Sequence, residues 1–258
     1  MNKAVTFSTF ARNAATAVII ISLVCDTLSL NWTSDSVFPL DMATESVDDQ
    51  YIGCENNMEK LIMHEILPQE LKLNEMFGKA WKEYENISDN YTRSIKVYTA
   101  PNVFSDFNIN VRLGRNIYKD KFNYKAFHFF LTRGIQIRKV NTCTDVFRRT
   151  SVDYDTNVLG REMRFGQFAS SSLIKGRKNF GRVSCFKIKT CYGVDISNIS
   201  VFPKEKEVLI PPYESFNITN IEKDGNEMNC KVLYTLESSG KFSNMNCELL
   251  KKRRRYKF

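Results

Sequence analysis

Residues 124–150 read YKAFHFFLTRGIQIRKVNTCTDVFRRT, and the spacing of apolar residues changes inside them. Up to Val140, Phe127, Phe130, Leu131 and Ile135 fall three and four apart, which predicts a helix over Tyr124–Val140 with one buried stripe. His128 lies within that aromatic helix and reads as a structural histidine. Beyond Val140 the apolar spacing drops to two, the period of a strand. Helical patterns precede this switch and strand patterns follow it, so the chain reads as α+β and not as an alternating βαβ array.

Upstream, Met58–Glu85 carries Leu61, Ile62 and Ile66, then Leu71, Leu73, Met76, Phe77 and Trp81, all at helical spacing. Two helices broken near Pro68 are expected. Asn86–Asp106 reads as loop and short strand, and Phe107–Tyr118 as helical. Downstream, strands are expected at Val146–Arg148, Arg164–Phe168, Val183–Lys189, Glu207–Ile210 and Met228–Leu236.

One downstream stretch carries chemistry. Ser200–Phe216 reads SVFPKEKEVLIPPYESF. Glu205 and Glu207 flank Lys206 and open an apolar run that Pro211 and Pro212 close, as in a strand that cannot continue. If both glutamates lie on the strand, their carboxylates share one face and Lys206 points to the other. An acid pair at a strand mouth suits the holding of positive charge.

The ends have their own signals. Met1–Arg12 has Lys3 and Arg12 and no acid, and Ala14–Val24 is apolar but short. Residues 1–30 are therefore expected to be a signal peptide, cut between Cys25 and Asn31. A single membrane anchor is the rival reading. Residues 31–248 are expected to be one domain, and 249–258, LLKKRRRYKF, a basic C-terminal tail offering contact to a polyanion. No hydrophobic stretch follows that tail, so a secreted product is expected, with a cell-surface form as the alternative.

Seven cysteines are present, and removal of Cys25 leaves an even six. In an exported chain these imply disulfides, and six allow 15 pairings. Two histidines and no C-x-x-C argue against a metal site, and none is expected. Sequons at Asn31, Asn86, Asn90, Asn198 and Asn217 agree with export. The net charge of +8 is partly terminal and comes without a basic–aromatic stripe, so no nucleic acid is expected as partner.

Three pieces then fall in one order. Arg148 ends the strand TDVFRRT, Ser170 sits in RFGQFASSSL, and Glu205 and Glu207 follow. This Arg, Ser, Glu-x-Glu order resembles the signature of the arginine-specific ecto-ADP-ribosyltransferases. The blocks YKAFHFFLTRGIQ, CTDVFRR, MRFGQFASSSL, FKIKTCYGVDI and EVLIPPYESF are similar to that family's blocks, in its order, from about Asp48 to Cys247. The resemblance implies a helical N-terminal part packed on a β-sandwich-like core of two sheets, with an NAD cleft. It implies transfer of ADP-ribose from NAD, or from NADP as the alternative dinucleotide, to arginine side chains of extracellular or lumenal proteins. No G-x-G-x-x-G is present, as the resemblance requires.

The resemblance also implies roles. Glu207 would be the catalytic carboxylate at the nicotinamide ribose, Ser170 would orient it, and Arg148 would contact the dinucleotide. Glu205 would hold the acceptor arginine, Phe180 would stack on nicotinamide or pack in the core, and Ser171 and Ser172 would support. Arg149 stands where the family usually has a glycine whose backbone meets the nicotinamide amide, and a side chain there is expected to crowd that pocket or to shift the backbone. The implied disulfides are Cys54–Cys247 and Cys143–Cys191, which leaves Cys185–Cys230. A monomer is expected. Beside the transferase stand two other readings: an NAD glycohydrolase or weakened enzyme, and a secreted basic binding protein acting through its tail.

Overall fold

The computed structural model describes residues 37–176 and 178–251. The expected signal peptide, Asn31 and the basic run from residue 252 lie outside the described residues. Residues from Phe38 onward form one compact unit. Helices come first: α1 (Glu55–Leu61), α2 (Leu67–Leu73), α3 (Glu75–Glu83), α4 (Asn90–Thr99), α5 (Phe104–Leu113) and α6 (Lys125–Arg138). Strands follow: β1 (Thr144–Thr150), β2 (Glu162–Arg164), β3 (Ala169–Ser172), β4 (Ser184–Thr190), β5 (Val194–Asp195), β6 (Glu207–Ile210), β7 (Glu214–Glu222) and β8 (Val232–Lys241). The α+β expectation is met.

Several expectations are corrected. The helical run does not break near Pro68. A π-helical turn, Ile62–Ile66, joins α1 to α2 and leaves Pro68 in the first turn of α2, where its missing N–H removes no bond. The break comes at Asn74, whose side chain caps α3 by accepting from the Phe77 N–H at 3.1 Å. Residues 90–99, expected as loop and strand, are helix α4. Asp89 caps it, accepting from the N–H groups of Tyr91 at 3.2 Å and Thr92 at 3.0 Å. Burial of Ile95, Val97 and Tyr98 outweighs the β-branched composition of that segment.

The expected strand Arg164–Phe168 is also divided. β2 ends at Arg164, Gly166 turns the chain at φ +65°, and β3 begins at Ala169. A Cβ on Gly166 would stand 2.3 Å from the Ala43 Cβ, so only glycine fits that corner. Met228 and Cys230, expected in a strand, lie in the turn before β8.

All eight strands join one ladder, in the order β2-β7-β8-β4-β1-β3-β6-β5, rather than two separate sheets. The join is narrow: β1 and β3 are paired only at Phe147↔Ser172. The five strands on one side and three on the other still pack face to face. Val146, Phe186, Phe216 and Tyr234 meet Ala169, Val208 and Ile210 in one buried cluster. The other face of the three-stranded half carries Leu209 and Ile196 against the helices, among Phe77, Phe107, Phe127 and Phe168. β6 is thus buried on both faces, which is why its sequence is a continuous apolar run.

His128 is fully buried. Its Nδ1 meets the Tyr51 hydroxyl at 2.7 Å and its Nε2 the Val47 carbonyl at 3.0 Å, and burial pushes it down to about 3. It is neutral and structural, as expected. The two ends of the unit are stitched together beside it. Asp48 pairs with Arg164 at 2.7 Å, both side chains fully buried, and Asp49 accepts from the N–H groups of Cys247 and Glu248, each at 2.8 Å. Disulfides join Cys54–Cys247 and Cys143–Cys191, the pairs that the family resemblance implies, and Cys185–Cys230, the pair then left over.

Candidate active site

The site lies where the two halves of the sheet part. The β1–β3 ladder does not continue past Phe147↔Ser172 to the neighbouring residues. Arg148 bridges the parted strands instead, donating from Nη1 to the Ser170 carbonyl at 2.6 Å. Its guanidinium also lies 5.8 Å from the centre of the Phe165 ring.

On the next pair of strands, β3 and β6 run antiparallel with Ser172 opposite Glu207 and Ser170 opposite Leu209. Ser170 and Glu207 are therefore diagonal neighbours on one face, the face turned to the helices. The Ser170 hydroxyl hydrogen-bonds the Glu207 carboxylate. A second hydroxyl, on Ser200, donates to Glu207 Oε2 at 3.4 Å.

Glu207 is only 7% exposed. Burial raises its pKa above the ordinary carboxylate range. The Ser170 hydrogen bond opposes that, the nearby charge of Glu205 adds to it, and Ser200 and Arg148 oppose it more weakly. This carboxylate thus ionises only at a higher pH than a surface glutamate.

Glu205 does not share the strand. It ends a 3-10 turn, Pro203–Glu205, and Lys206 adopts the left-handed region before β6 starts at Glu207. The expected in–out alternation of 205, 206 and 207 is corrected accordingly, because a left-handed residue breaks the pleat. The two carboxylates are nevertheless close enough for one to act on the other's ionisation. Ser172 supports this turn, its hydroxyl donating to the Glu205 carbonyl at 2.6 Å. Ser171 lies on the other face with its hydroxyl buried.

Arg149 takes the opposite side of β1 from Arg148 and does not crowd the cleft. Its Nη2 donates to the carbonyls of Met228 at 2.9 Å and Lys175 at 3.2 Å, and its Nη1 lies 3.2 Å from the Cys230 sulfur. It is 8% exposed and fills the cluster of Cys185, Met228, Cys230 and Leu233. Its side chain is a staple between two loops. Arg149→Gly is expected to lower stability by about 2–4 kcal/mol, because it empties that site and strips the buried Met228 carbonyl and the half-buried Lys175 carbonyl of this donor. Thermal unfolding of the variant checks this. Phe180 is 45% exposed and packs in no core cluster among the described residues.

Three side chains here carried no sequence signal of their own. Tyr98, from α4, donates to the Phe168 carbonyl at 3.0 Å and lies 3.4 Å from the Ser170 hydroxyl. Asn108, from α5, donates to the Tyr98 hydroxyl at 3.0 Å and accepts from the Phe168 N–H at 3.2 Å. Ser200 is the third. Each comes from a different element than the serine strand, and only packing brings them to it.

No group of acids, histidines and cysteines that could hold a metal occurs among the described residues. Residues 40–243 match the family model for NAD:arginine ADP-ribosyltransferase. Ecto-ADP-ribosyltransferase 5 of Bos taurus is 35% identical over 243 residues, which cover 84% of this chain and 76% of the relative. T-cell ecto-ADP-ribosyltransferase 2 of Mus musculus is 38% identical over 229 residues, covering 81% of this chain and 77% of the relative. The crystal structure of the eukaryotic mono-ADP-ribosyltransferase ART2.2 superposes with a TM-score of 0.68 at 32% identity, over 81% of this chain and 98% of that one. A mutant of that enzyme in complex with NADH superposes at 0.67. With the matched residues spanning the helices, the parted sheet and the Arg148–Ser170–Glu207 cluster, the chain belongs to the NAD:arginine ADP-ribosyltransferase family.

Proposed function

We propose that this protein transfers ADP-ribose from NAD, or NADP, to arginine side chains of other proteins and releases nicotinamide. The observation that supports it best is the buried Glu207 carboxylate, held by two hydroxyls beside Arg148 at the parting of the sheet. In the reaction, the bond between the ribose anomeric carbon and the nicotinamide nitrogen breaks. Its electron pair leaves with the ring, which departs neutral, so no general acid is required. The sugar carbon becomes transiently cationic. A carboxylate held next to it in a site of low polarity stabilises that charge, which is the role of Glu207. Ser170 keeps the carboxylate oriented, and Arg148 offers a fixed cation to the diphosphate.

Glu205 holds the acceptor guanidinium by charge-assisted hydrogen bonds and takes its proton as the new carbon–nitrogen bond forms. With water in place of the acceptor, the same cleavage is hydrolysis. The three disulfides support an exported protein, secreted or at the cell surface. Asn86, Asn198 and Asn217 are exposed and Asn90 half-exposed, in keeping with glycans at those sequons.

Incubation with labelled NAD and agmatine tests the reading: agmatine must gain the label. Free ADP-ribose with no agmatine product would instead establish a glycohydrolase. The pH profile is a second test. Because the Glu207 pKa is raised, activity should fall on acidification at a higher pH than an ordinary glutamate would give. Glu205→Gln removes a like charge, so the acid limb of NAD hydrolysis should move to lower pH. An unmoved limb would show that the two carboxylates are not coupled.

A further inference from the structure

Asn108 and Tyr98 stand behind the serine strand on two different helices, and both are buried. The hydrogen bonds around them run in one direction only, and a backbone group fixes it. The Phe168 N–H can only donate, and it donates to Asn108 Oδ1 at 3.2 Å. This turns the amide nitrogen of Asn108 to the Tyr98 hydroxyl, 3.0 Å away. An amide nitrogen only donates, so the phenol oxygen accepts there and gives its own proton elsewhere. The Phe168 carbonyl takes that proton at 3.0 Å. The Ser170 hydroxyl lies 3.4 Å from the same phenol oxygen and so receives no proton from Tyr98. Its own proton goes to the Glu207 carboxylate, which as an ion is the stronger acceptor.

We infer that Asn108 is a positioning residue of the reaction: its carboxamide sets the order of protons behind β3 so that the Ser170 hydroxyl donates to Glu207. The inference rests on the transferase reading above. Asn108 acts on the carboxylate only through Tyr98 and Ser170. Its N–H fills a lone pair of the phenol oxygen. With that donor removed, the vacated lone pair competes with Glu207 for the Ser170 proton. The carboxylate then loses part of the bond that keeps it oriented and charged.

The test measures kcat and its pH profile for the full chain with NAD and agmatine. Asn108→Leu keeps the volume and removes the amide. Asn108→Ser is made beside it, and thermal unfolding shows which variants fold. In either, kcat should fall about tenfold while the KM for NAD stays within about twofold, the loss of one hydrogen bond to a charged group. The Ser170 bond opposes the raised pKa of Glu207, so weakening it should move the acid limb of kcat up by about half a pH unit. Tyr98→Phe takes away the rival acceptor, so in an Asn108→Leu, Tyr98→Phe double variant the limb should return to the parent position. Arg148 and Glu205, the charged groups facing Glu207, are kept throughout, and Tyr98, which burial pushes up to about 12, is neutral with or without its hydroxyl. An acid limb unmoved in the single variants, or still displaced in the double, would overturn the inference while agmatine turnover by the parent leaves the transferase reading standing. If the parent only hydrolyses NAD, the same limbs are read on hydrolysis. A parent that does not cleave NAD at all would overturn both.

Discussion

Glu207→Gln is expected to lower agmatine transfer by about 10²–10³-fold, with NAD still bound and the fold intact. The substitution keeps the size and the hydrogen-bonding shape of the side chain and removes only its charge. What is lost is attraction for a sugar carbon that is cationic in the transition state and nearly neutral in bound NAD, so the effect falls on kcat and not on affinity. Stability supplies the control. Glu207 is buried and its ionisation is held back by that burial, so a neutral amide there should not lower the melting temperature. Steady-state kinetics, calorimetric NAD binding and thermal unfolding on the same variant check all three statements. A variant as fast as the parent would remove Glu207 from the mechanism.

The second large effect is structural. Asp48→Ala is expected to cost about 3–5 kcal/mol, because it leaves the Arg164 guanidinium buried with no counter-ion. Arg164 also donates to the carbonyls of Met42 at 2.7 Å, Ala43 at 3.1 Å and Phe242 at 2.8 Å, so it cannot turn outward without breaking those bonds. The carboxylate has a second duty. It accepts from the N–H groups of Asn244 at 2.9 Å and Met245 at 3.0 Å, and in the variant the buried Met245 N–H loses its partner. For a domain of this size a melting point lower by about 10 °C follows. The Cys54–Cys247 bridge ties the same two segments covalently, so the ends should stay joined even as the melting point falls. A drop of less than about 1 kcal/mol would mean that water replaces the carboxylate around Arg164.

Much of the site was legible because its residues sit in blocks with strong local pattern. Arg148 falls in an alternating strand, Ser170 in a serine run, and Glu207 immediately before an apolar run stopped by prolines. What was misread concerns direction. Arg149 follows Arg148 directly, and no spacing rule says which of two adjacent arginines meets the cleft. The register Arg148↔Phe186, Arg149↔Cys185 decides it, placing Arg149 with the disulfide cluster. Glu205 was read onto the strand because i and i+2 share a face in a regular pleat. The left-handed Lys206 breaks that regularity, and a positive φ at lysine leaves no trace in composition.

Local sequence alone determined that helices come first and strands second, that aromatic residues build the helical core, and to which family the chain belongs, since periodicity and linear motifs are properties of neighbours along the chain. Only the tertiary structure decided that the strands form one ladder joined at a single pair, that Tyr98, Asn108 and Ser200 surround the serine and the glutamate, and that Arg149 turns away. Those facts depend on which segments meet across long stretches of chain. Such meetings are set by the burial of β6 between two cores and the pinned turn before it, not by any residue's immediate neighbours.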